Sequence, residues 1–310
     1  MVDKHTLPLF PRVSVIIPTS NRPSSLKRLL TSLGEATAVH EIIVVDDGSQ
    51  PPVSVTASNV LLLRIPQRGL VSAARNLGAS RACGEILIFV DDDCVLNGSS
   101  ILLLRDAFVG NPAIGIVGPV ISYFSDSSTI WCAGVVRTKW LGRTKFRGRG
   151  RNLTHARRLP LRCDDFPSVF AVRQSCFQEI GGFDEVNFPM GLEEADFAAR
   201  ARERGYAVQL VPRALAWHDL RPHDPLVRRL HAVEPRRAFH TARGRVLFLR
   251  KHSPTSPVRA LRLVFWFVVL VPGYLAGIAL GSGLTFKGKL ELAHSFVAGL
   301  QQGMAGSLRP

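Results

Sequence analysis

Apolar runs that end in acidic residues recur in the first third of the chain and constrain its fold more than any other feature. Val13 to Ile17 reads VSVII and stops at Pro18, while IIVV, from Ile42 to Val45, is followed directly by the sequence DDGS. A third run, EILIFV, is followed by three aspartates, residues 91–93. Continuous β-branched runs are typical of strands buried on both faces of a parallel sheet. We therefore expect acidic residues at strand ends.

Helical patterns lie between these predicted strands. Pro23 and Ser24 open a segment in which leucines recur at helical spacing up to Gly34, and SAARNLGASRA predicts a second helix before the third strand. Alternating strands and helices indicate a doubly wound α/β unit, whose ligands bind beyond the carboxyl ends of the strands. The acidic residues fall at those ends.

The sequence after the first predicted strand indicates which type of nucleotide site the chain can form. The first strand is followed by neither GxGxxG nor GxxxxGK[ST], so a dinucleotide site and a P-loop are not expected. Single aspartates after strands are common in turns, but consecutive carboxylates repel each other unless a cation neutralises them. Carboxylate oxygens suit Mg²⁺ or Mn²⁺, and a diphosphate completes the coordination of such an ion.

The charge distribution points to an anionic membrane surface rather than nucleic acid. The 310-residue chain has a net charge of +15, and residues 137–162 contain ten basic and no acidic side chains. A second basic block, residues 200–262, sums to +11. Neither block has the interleaved aromatic residues of a nucleic-acid site, so a nucleic-acid partner is not expected. Residues 137–162 are either a solvated basic loop or a lid that contacts phosphate.

The longest uncharged stretch, residues 263–286, follows the second basic block. Its most apolar part, residues 263–281, would extend about 28 Å as a helix, close to the hydrocarbon thickness of a bilayer. Six basic residues precede it within twenty positions and two follow, which places residues 1–262 in the cytoplasm with a single crossing. Pro272 and Gly273 leave a re-entrant hairpin open, and a buried helix of a soluble protein is the other alternative. The five cysteines, an odd number without CxxC spacing, favour reduced thiols.

Five motifs, in this order, carry a family resemblance: VSVIIPTSNRP, EIIVVDDGS, GLVSAARNLGASRACGEILIFVDDDC, EIGGFDE and GLEEADFAARARERGY. They resemble family 2 of the inverting glycosyltransferases, of the membrane-associated bacterial type. The resemblance implies the GT-A fold: an α/β, doubly wound, mostly parallel sheet with a nucleotide-sugar-binding half, residues 11–120, and an acceptor half, residues 121–252. An N-terminal extension, residues 1–10, would precede this domain. A membrane-associated segment, residues 253–310, would follow it.

The same resemblance implies roles for individual residues. Thr19, Asp47, Arg75, Asn76 and Asp91 would bind the donor nucleotide. Asp93 and His218 would hold Mg²⁺ or Mn²⁺, and Glu194 would be the catalytic base. Three further acids, Asp92, Glu193 and Asp196, are candidates for acceptor binding, although acids near a helix start also complement its dipole. Arg68 stands where the family often has Asn.

The implied reaction moves a sugar from a nucleoside-diphosphate donor, with UDP or dTDP favoured, to a hydroxyl of a lipid-linked saccharide acceptor, with inversion. The expected setting is cell-envelope or exopolysaccharide synthesis at the cytoplasmic face of the membrane. A processive polysaccharide synthase would have several membrane helices and a QxxRW motif, and a sugar-nucleotide pyrophosphorylase would have a Gly-rich loop in place of PTSNRP. A non-catalytic basic membrane adaptor is the alternative from another class.

Overall fold

We describe a computed structural model of the chain. The residues that it describes are 10–34, 37–55, 57, 59–138, 140, 141, 143–220, 234–280 and 284–306. The predicted N-terminal extension therefore lies outside them except for Phe10, as do Lys139 and Gly142 of the basic loop.

Eleven strands are present among the described residues. They are β1 (Val13–Thr19), β2 (Val39–Asp47), β3 (Val60–Ile65), β4 (Ile86–Val90), β5 (Cys94–Leu96), β6 (Ile114–Tyr123), β7 (Ile130–Cys132), β8 (Val135–Arg137), β9 (Thr144–Phe146), β10 (Val169–Arg173) and β11 (Ala207–His218).

The α-helices begin with α1 (Pro23–Leu33), α2 (Val71–Arg81), α3 (Gly98–Asp106), α4 (Gln174–Glu179) and α5 (Glu193–Glu203). They continue with α6 (Pro235–Lys251), α7 (Ser256–Phe265), α8 (Val271–Leu280) and α9 (Phe286–Ala305). A π-helical turn, Trp266–Leu270, joins α7 to α8, and a 3₁₀ helix covers Leu153–Arg158.

The strands form a nine-stranded mixed sheet in the order β3-β2-β1-β4-β10-β6-β11-β5, with β7 beside β6. The N-terminal strands β3, β2, β1 and β4 are parallel, as their buried apolar runs predict. β10 lies antiparallel between β4 and β6, and β5 is antiparallel to β11. This mixed α/β sheet is the predicted fold class with its parallel strands in the N-terminal half.

The core of the sheet is formed by the apolar residues of these strands and of the helices against them. Strand β1 is buried at all seven positions, and Leu26, Leu29 and Leu33 of α1 are buried, as the leucine spacing predicts. On α2, Gly78 permits a close approach, because a Cβ there would lie 2.5 Å from Ile16 Cγ2 of β1.

Contacts divide the chain into two compact units, both built from separated segments. Unit 1 consists of residues 1–136, 146–182 and 198–220, and contains the large sheet. Unit 2 consists of residues 137–145, 183–197 and 221–310, and contains the C-terminal helices. The predicted boundaries at residues 120 and 252 stay predictions.

One helix among the described residues is long and apolar enough to cross a membrane. It covers Ser256–Leu280, that is α7, the π turn and α8, and its most apolar window has a mean hydropathy of 2.3. The predicted span, residues 263–281, falls within this helix except for residue 281, which lies outside the described part of the chain.

Candidate active site

The carboxyl ends of three adjacent parallel strands bring the predicted donor-site residues of unit 1 together. β1 lies between β2 and β4 in the sheet. Thr19 is the last residue of β1, Asp47 is the last residue of β2, and Asp91 directly follows β4. Parallel strands end at one edge of a sheet, so the acidic residues predicted at strand ends meet there.

The middle aspartate of the triplet, Asp92, is the most enclosed of the three. Thr19 Oγ1 donates a hydrogen bond to Asp92 Oδ2 over 2.7 Å, and Arg22 Nη1 lies 3.1 Å from Oδ1. Burial raises the pKa of Asp92 to about 6, although the Arg22 charge and the Thr19 hydrogen bond act to lower this pKa. Asp92 therefore links β1 to the triplet from inside the site.

Asp93 faces a histidine and an arginine. His218 ends β11 and pairs with Cys94 of β5 in the antiparallel ladder, which sets it beside Asp93. His218 Nε2 lies 3.1 Å from Asp93 Oδ1, and Arg22 Nη1 lies 2.7 Å from Asp93 Oδ2. Burial opposes ionisation of this carboxyl, but His218 and Arg22 together lower its pKa to about 2. Asp93 is therefore ionised at neutral pH, as a ligand for a cation would be.

The donor set beside Asp93 fits a divalent metal ion. Asp93, Cys94 and His218 each offer one ligand atom, and these three atoms lie within 4.8 Å of one another. Burial raises the pKa of the Cys94 thiol well above its usual value, which leaves a neutral thiol rather than a thiolate. Carboxylate oxygens suit Mg²⁺ and Mn²⁺, and imidazole nitrogen is a common ligand for divalent transition metals. The edge of the Trp131 ring packs on the His218 imidazole, with ring centroids 4.5 Å apart, and orients it.

Arg75 and Asn76, neighbours on α2, lie in different surroundings. The Arg75 side chain is completely buried, and its Nη2 lies 2.8 Å from Asp91 Oδ1. Asn76 instead lines a cavity of about 410 Å³ with Gln174, Phe177 and other residues of α2, α4 and the turn after α4. None of the other predicted donor-site residues lines that cavity. The structure thus joins Arg75 to Asp91 and places Asn76 at the cavity beside α4.

The two aspartates at the end of β2 have separate partners. Asp47 accepts hydrogen bonds from the backbone amides of Gly69 (2.6 Å) and Leu70 (3.0 Å), just before α2. Asp46 is buried, yet hydrogen bonds from Ser49 and Val53 and the charge of Arg64 outweigh burial and lower its pKa. A carboxylate has about four acceptor positions, so Asp47 retains capacity for a ligand. Asp46 acts as an anchor for the loop after β2.

Backbone strain is concentrated next to the predicted site residues. Among the described residues, the non-glycine residues with positive φ are Asn21, Leu70, Ser168 and Leu192. Leu70 donates its amide to Asp47, and Ser168 accepts a hydrogen bond from the Asp91 amide. Leu192 immediately precedes Glu193 and Glu194. Such conformations cost about 1–3 kcal/mol each and cluster at functional sites.

The acids of the EEAD motif begin α5 and belong to unit 2. Glu193 is buried, Glu194 is half-buried, and Asp196 has no exposed surface. Asp196 Oδ1 lies 2.8 Å from His252 Nε2 and 3.0 Å from Lys251 Nζ, at the end of α6. Asp196 thereby fixes the first turn of α5, whereas Glu194 is the more accessible acid.

Residues that the sequence analysis did not single out complete these contacts. Arg22, at the end of the loop after β1, contacts both Asp92 and Asp93. Lys251 and His252 contact Asp196 from about fifty residues downstream. A signal for Arg22 existed, because it lies in the PTSNRP motif at a strand end. No spacing in the sequence connects Lys251 to Asp196.

Curated relatives of this chain are glycosyltransferases. The chain is 28% identical over 276 residues to a pre-mycofactocin glycosyltransferase of Mycobacterium tuberculosis, a match that covers 86% of this chain and 54% of that protein. It is 26% identical over 247 residues to polypeptide N-acetylgalactosaminyltransferase 3 of Drosophila melanogaster, covering 72% of this chain and 37% of that protein. The chain thus spans about half the length, or less, of these relatives.

Solved structures share the fold. A crystal structure of GalNAc-T7 with UDP, GalNAc and Mn²⁺ superposes with a TM-score of 0.61 at 17% identity, covering 96% of this chain and 56% of that one. The mannosyltransferase PcManGT of Pyrobaculum calidifontis, in complex with GDP-Man and Mn²⁺, gives a TM-score of 0.56 at 16% identity, covering 96% and 88%. The glycosyl transferase family 2 model matches residues 14–181, from β1 to the turn after α4. The chain therefore belongs to glycosyl transferase family 2 and has the GT-A fold.

Proposed function

We propose that this glycosyltransferase moves a sugar from a nucleoside-diphosphate donor to a hydroxyl of a lipid-linked saccharide, with inversion at the anomeric carbon, in cell-envelope or exopolysaccharide synthesis. The observation that carries the donor side is the strand-end cluster in which Asp91, Asp92 and Asp93 meet Arg22, Arg75 and His218. A cluster with this many carboxylates and cations suits a diphosphate together with a metal ion.

Each donor-site residue has a proposed task. Asp47, held in place by the amides of Gly69 and Leu70, accepts a hydrogen bond from the N3–H of the base. Asp91 binds the ribose while Arg75 fixes its carboxylate. Asp93 and His218 would hold the divalent ion, which would neutralise negative charge on the diphosphate when bound.

Thr19 and Asn76 enter the proposal with modified roles. Thr19 is bound to Asp92, so it supports the triplet in addition to lying beside the base position. Asn76 contacts the donor only if the ligand extends to the cavity beside α4. For each of these two residues, the test is to measure the donor affinity of its alanine variant. This affinity falls if the side chain contacts the nucleotide.

Glu194 is the proposed base of the transfer step. It removes the proton of the acceptor hydroxyl as that oxygen attacks the anomeric carbon, and the nucleoside diphosphate leaves from the opposite face. Glu193 and Asp196 flank it, and Asp196 positions the first turn of α5 through Lys251 and His252. The acceptor is proposed to lie at an anionic membrane surface on its cytoplasmic face, and the basic residues beside the apolar helix support this side.

The experiment is donor hydrolysis and transfer by the full-length protein in detergent. UDP-, dTDP- and GDP-sugars are tested with Mn²⁺, Mg²⁺ or EDTA, and lipid-linked saccharides and peptides are both offered as acceptors, because one relative is named for polypeptide substrates. We expect one nucleotide series to be hydrolysed only with a divalent ion. Absence of metal-dependent turnover with every donor would overturn the proposal.

Matched variants separate the donor from the acceptor side. Asp93→Asn should lower donor hydrolysis by about 10²-fold or more, whereas Asp106→Asn, on a half-exposed aspartate of α3, should leave it unchanged. Glu194→Gln should retain nucleotide binding and lose transfer by about 10²–10⁴-fold. A Glu194→Gln variant with full transfer activity would exclude Glu194 as the base.

A further inference from the structure

The C-terminal helices of unit 2 form a bundle whose chain direction reverses twice. Next to Arg245 of α6 lies Trp266, with the guanidinium 5.6 Å from the ring centroid, and Arg262 Nη1 lies 3.2 Å from Ser253 Oγ. The core between the helices contains Ala238 and Ala242 of α6 together with Val271 and Ile278 of α8. The helix of residues 256–280, here called the long helix, therefore runs back along α6.

Helix α9 then returns along both. Lys289 Nζ lies 2.8 Å from the Ala279 carbonyl oxygen, and Tyr274 stacks on Phe296 with ring centroids 4.0 Å apart. At its far end, Arg250 Nη1 donates to the carbonyl oxygens of Gly303 (2.6 Å) and Gly306 (2.7 Å). The end of α9 thus lies beside Arg250, six positions before the long helix begins.

Helix α6 restricts how the long helix can meet a bilayer. Its sequence, PRRAFHTARGRVLFLRK, contains six lysines and arginines in 17 residues. Arg243 and Lys251 bind Asn187 and Asp184 elsewhere in unit 2. Charged residues at the centre of a bilayer are costly. The long helix shares an apolar core with α6 and contacts Arg245 through Trp266, so a crossing helix would draw the arginines of α6 toward the hydrocarbon.

The opposite side of the long helix is exposed and entirely apolar. From residue 260 to residue 280, every position classed as exposed is Ala, Leu, Val, Pro or Gly. Val264 is 58% exposed, Val268 67% and Leu280 75%. These positions recur at helical spacing and form one stripe, which we call the apolar stripe. By contrast, the exposed side of α9 includes Lys287, Glu291 and His294.

We infer that the long helix lies in the plane of an anionic bilayer, with the apolar stripe among the acyl chains of one leaflet, and that residues 1–255 and the end of α9 lie on the same side. The occupant of the stripe is a lipid surface because basic residues, Arg259, Arg262, Lys287 and Lys289, flank the apolar face at both ends. This arrangement replaces the single crossing predicted from hydropathy. It rests on the membrane association in the proposed function and on neither the donor nor the acceptor.

Cysteine accessibility tests the topology. Cys83 is exposed and the other cysteines are buried, so Cys83 reports the side of unit 1. Ala305→Cys and Thr285→Cys are each introduced into a chain in which Cys83 is replaced by Ser. An impermeant maleimide is then added to either face of membrane vesicles. We expect it to label Ala305→Cys from the face at which it labels Cys83 in the native chain. Thr285→Cys should never be labelled from the other face. Labelling of both Thr285→Cys and Ala305→Cys from the opposite face would establish a single crossing, and labelling of Thr285→Cys alone from there would establish two crossings; either overturns the inference.

Vesicle flotation tests the apolar stripe. Val269→Asp changes a residue of the stripe that is 51% exposed, and Val109→Asp is its matched control in unit 1, at 49% exposed. With phosphatidylglycerol vesicles, we expect Val109→Asp to float like the native protein and Val269→Asp to lose at least tenfold in bound fraction. Equal flotation of the two variants, or none by the native protein, overturns the inference. Donor hydrolysis in detergent should be unchanged in both, which separates this result from a failure of the proposed function.

Discussion

At the scale of single residues, the site depends on charges that are enclosed rather than exposed. Arg75 is completely buried, and its guanidinium lies 5.4 Å from the Phe170 ring centroid as well as 2.8 Å from Asp91. A buried ion pair is expensive to break, because the remaining charge loses its partner without regaining water. Arg75 therefore stabilises unit 1 while it orients Asp91.

Arg75→Met should destabilise the protein by about 2–4 kcal/mol. Adding Asp91→Asn should restore part of the loss, since the double variant leaves no unpaired carboxylate at that position. Urea unfolding of native, single and double variants gives the coupling energy. A double variant as unstable as the sum of the two single variants would show that Arg75 contributes through packing alone.

Several site residues were predictable because their position in a motif fixes their position in the sheet. Asp47, Asp91 and Asp93 follow apolar runs, and parallel strands put all three at one edge. Arg22 was not predicted, because its contacts depend on the conformation of the loop after β1, where Asn21 adopts a positive φ. Asn76 follows Arg75 directly, and a one-residue step along a helix rotates the side chain by about 100°, so its place at the cavity beside α4 could not be predicted from the motif.

At the scale of secondary-structure elements, close packing of α2 on the sheet positions Arg75. Gly78 lies one turn after Arg75, and a Cβ there would be 2.5 Å from Ile16 Cγ2 and 3.2 Å from Val45 Cγ2. Gly78→Ala should therefore destabilise unit 1 by about 1–3 kcal/mol through overpacking. Gly34→Ala, after α1, meets no atom closer than 3.5 Å and should change stability by less than about 1 kcal/mol. Thermal unfolding of both variants makes the comparison, and equal melting temperatures would contradict it.

Helix α6 makes a pH-dependent contribution to stability. Burial, together with the charges of Arg236 and Arg243, lowers the pKa of His240 to about 4 from 6.5. The unfolded chain therefore binds this proton more readily than the folded one, so stability decreases as the pH falls from about 6.5 to about 4. His240→Asn should gain stability relative to the native protein over that range. Denaturant unfolding in detergent at pH 7.5 and pH 5 measures the stability of both proteins. If the difference in stability between His240→Asn and the native protein is the same at both pH values, His240 titrates normally.

Element prediction succeeded where strands are buried and failed at the edge of the sheet. The patterns of β1, β2 and β4 identify them because their apolar runs are buried. Strand β3 was not predicted: Leu61 and Leu62 are exposed, so its apolar residues follow neither alternation nor a buried run. The antiparallel position of β10 between β4 and β6 also has no local signal, because long-range pairing determines it.

At the scale of the whole molecule, the two halves of the predicted reaction belong to separately assembled units. The donor-site aspartates belong to unit 1 with the large sheet, whereas Glu193, Glu194 and Asp196 belong to unit 2 with the C-terminal helices. The order of the motifs in the sequence indicates that the donor-site aspartates and the acids of α5 are both present. It does not indicate that residues near position 250 support residues near position 195. The sequence could not reveal that dependence, since the contacts are few and about fifty residues apart.

The Lys251–Asp196 contact gives this organisation a measurable consequence. Asp196 has no exposed surface, so Lys251→Met removes a cation from a fully buried carboxylate and should cost about 3 kcal/mol. We expect faster amide hydrogen exchange in residues 184–197 and 235–251, with unchanged exchange in β1 and β4. Lys287→Met is the matched control, because Lys287 is 87% exposed and lies 4.0 Å from Glu291, a surface pair of little energy.

The outcome of that exchange experiment also bears on the catalytic base. If loosening is confined to unit 2, transfer activity should decrease while donor hydrolysis is retained, since Glu194 begins the helix that Asp196 anchors and the donor cluster lies in unit 1. If exchange in β1 and β4 accelerates as well, the chain unfolds as one cooperative body. In that case Lys251→Met would lower transfer and hydrolysis together, and Lys251 would support the whole fold rather than the position of the base.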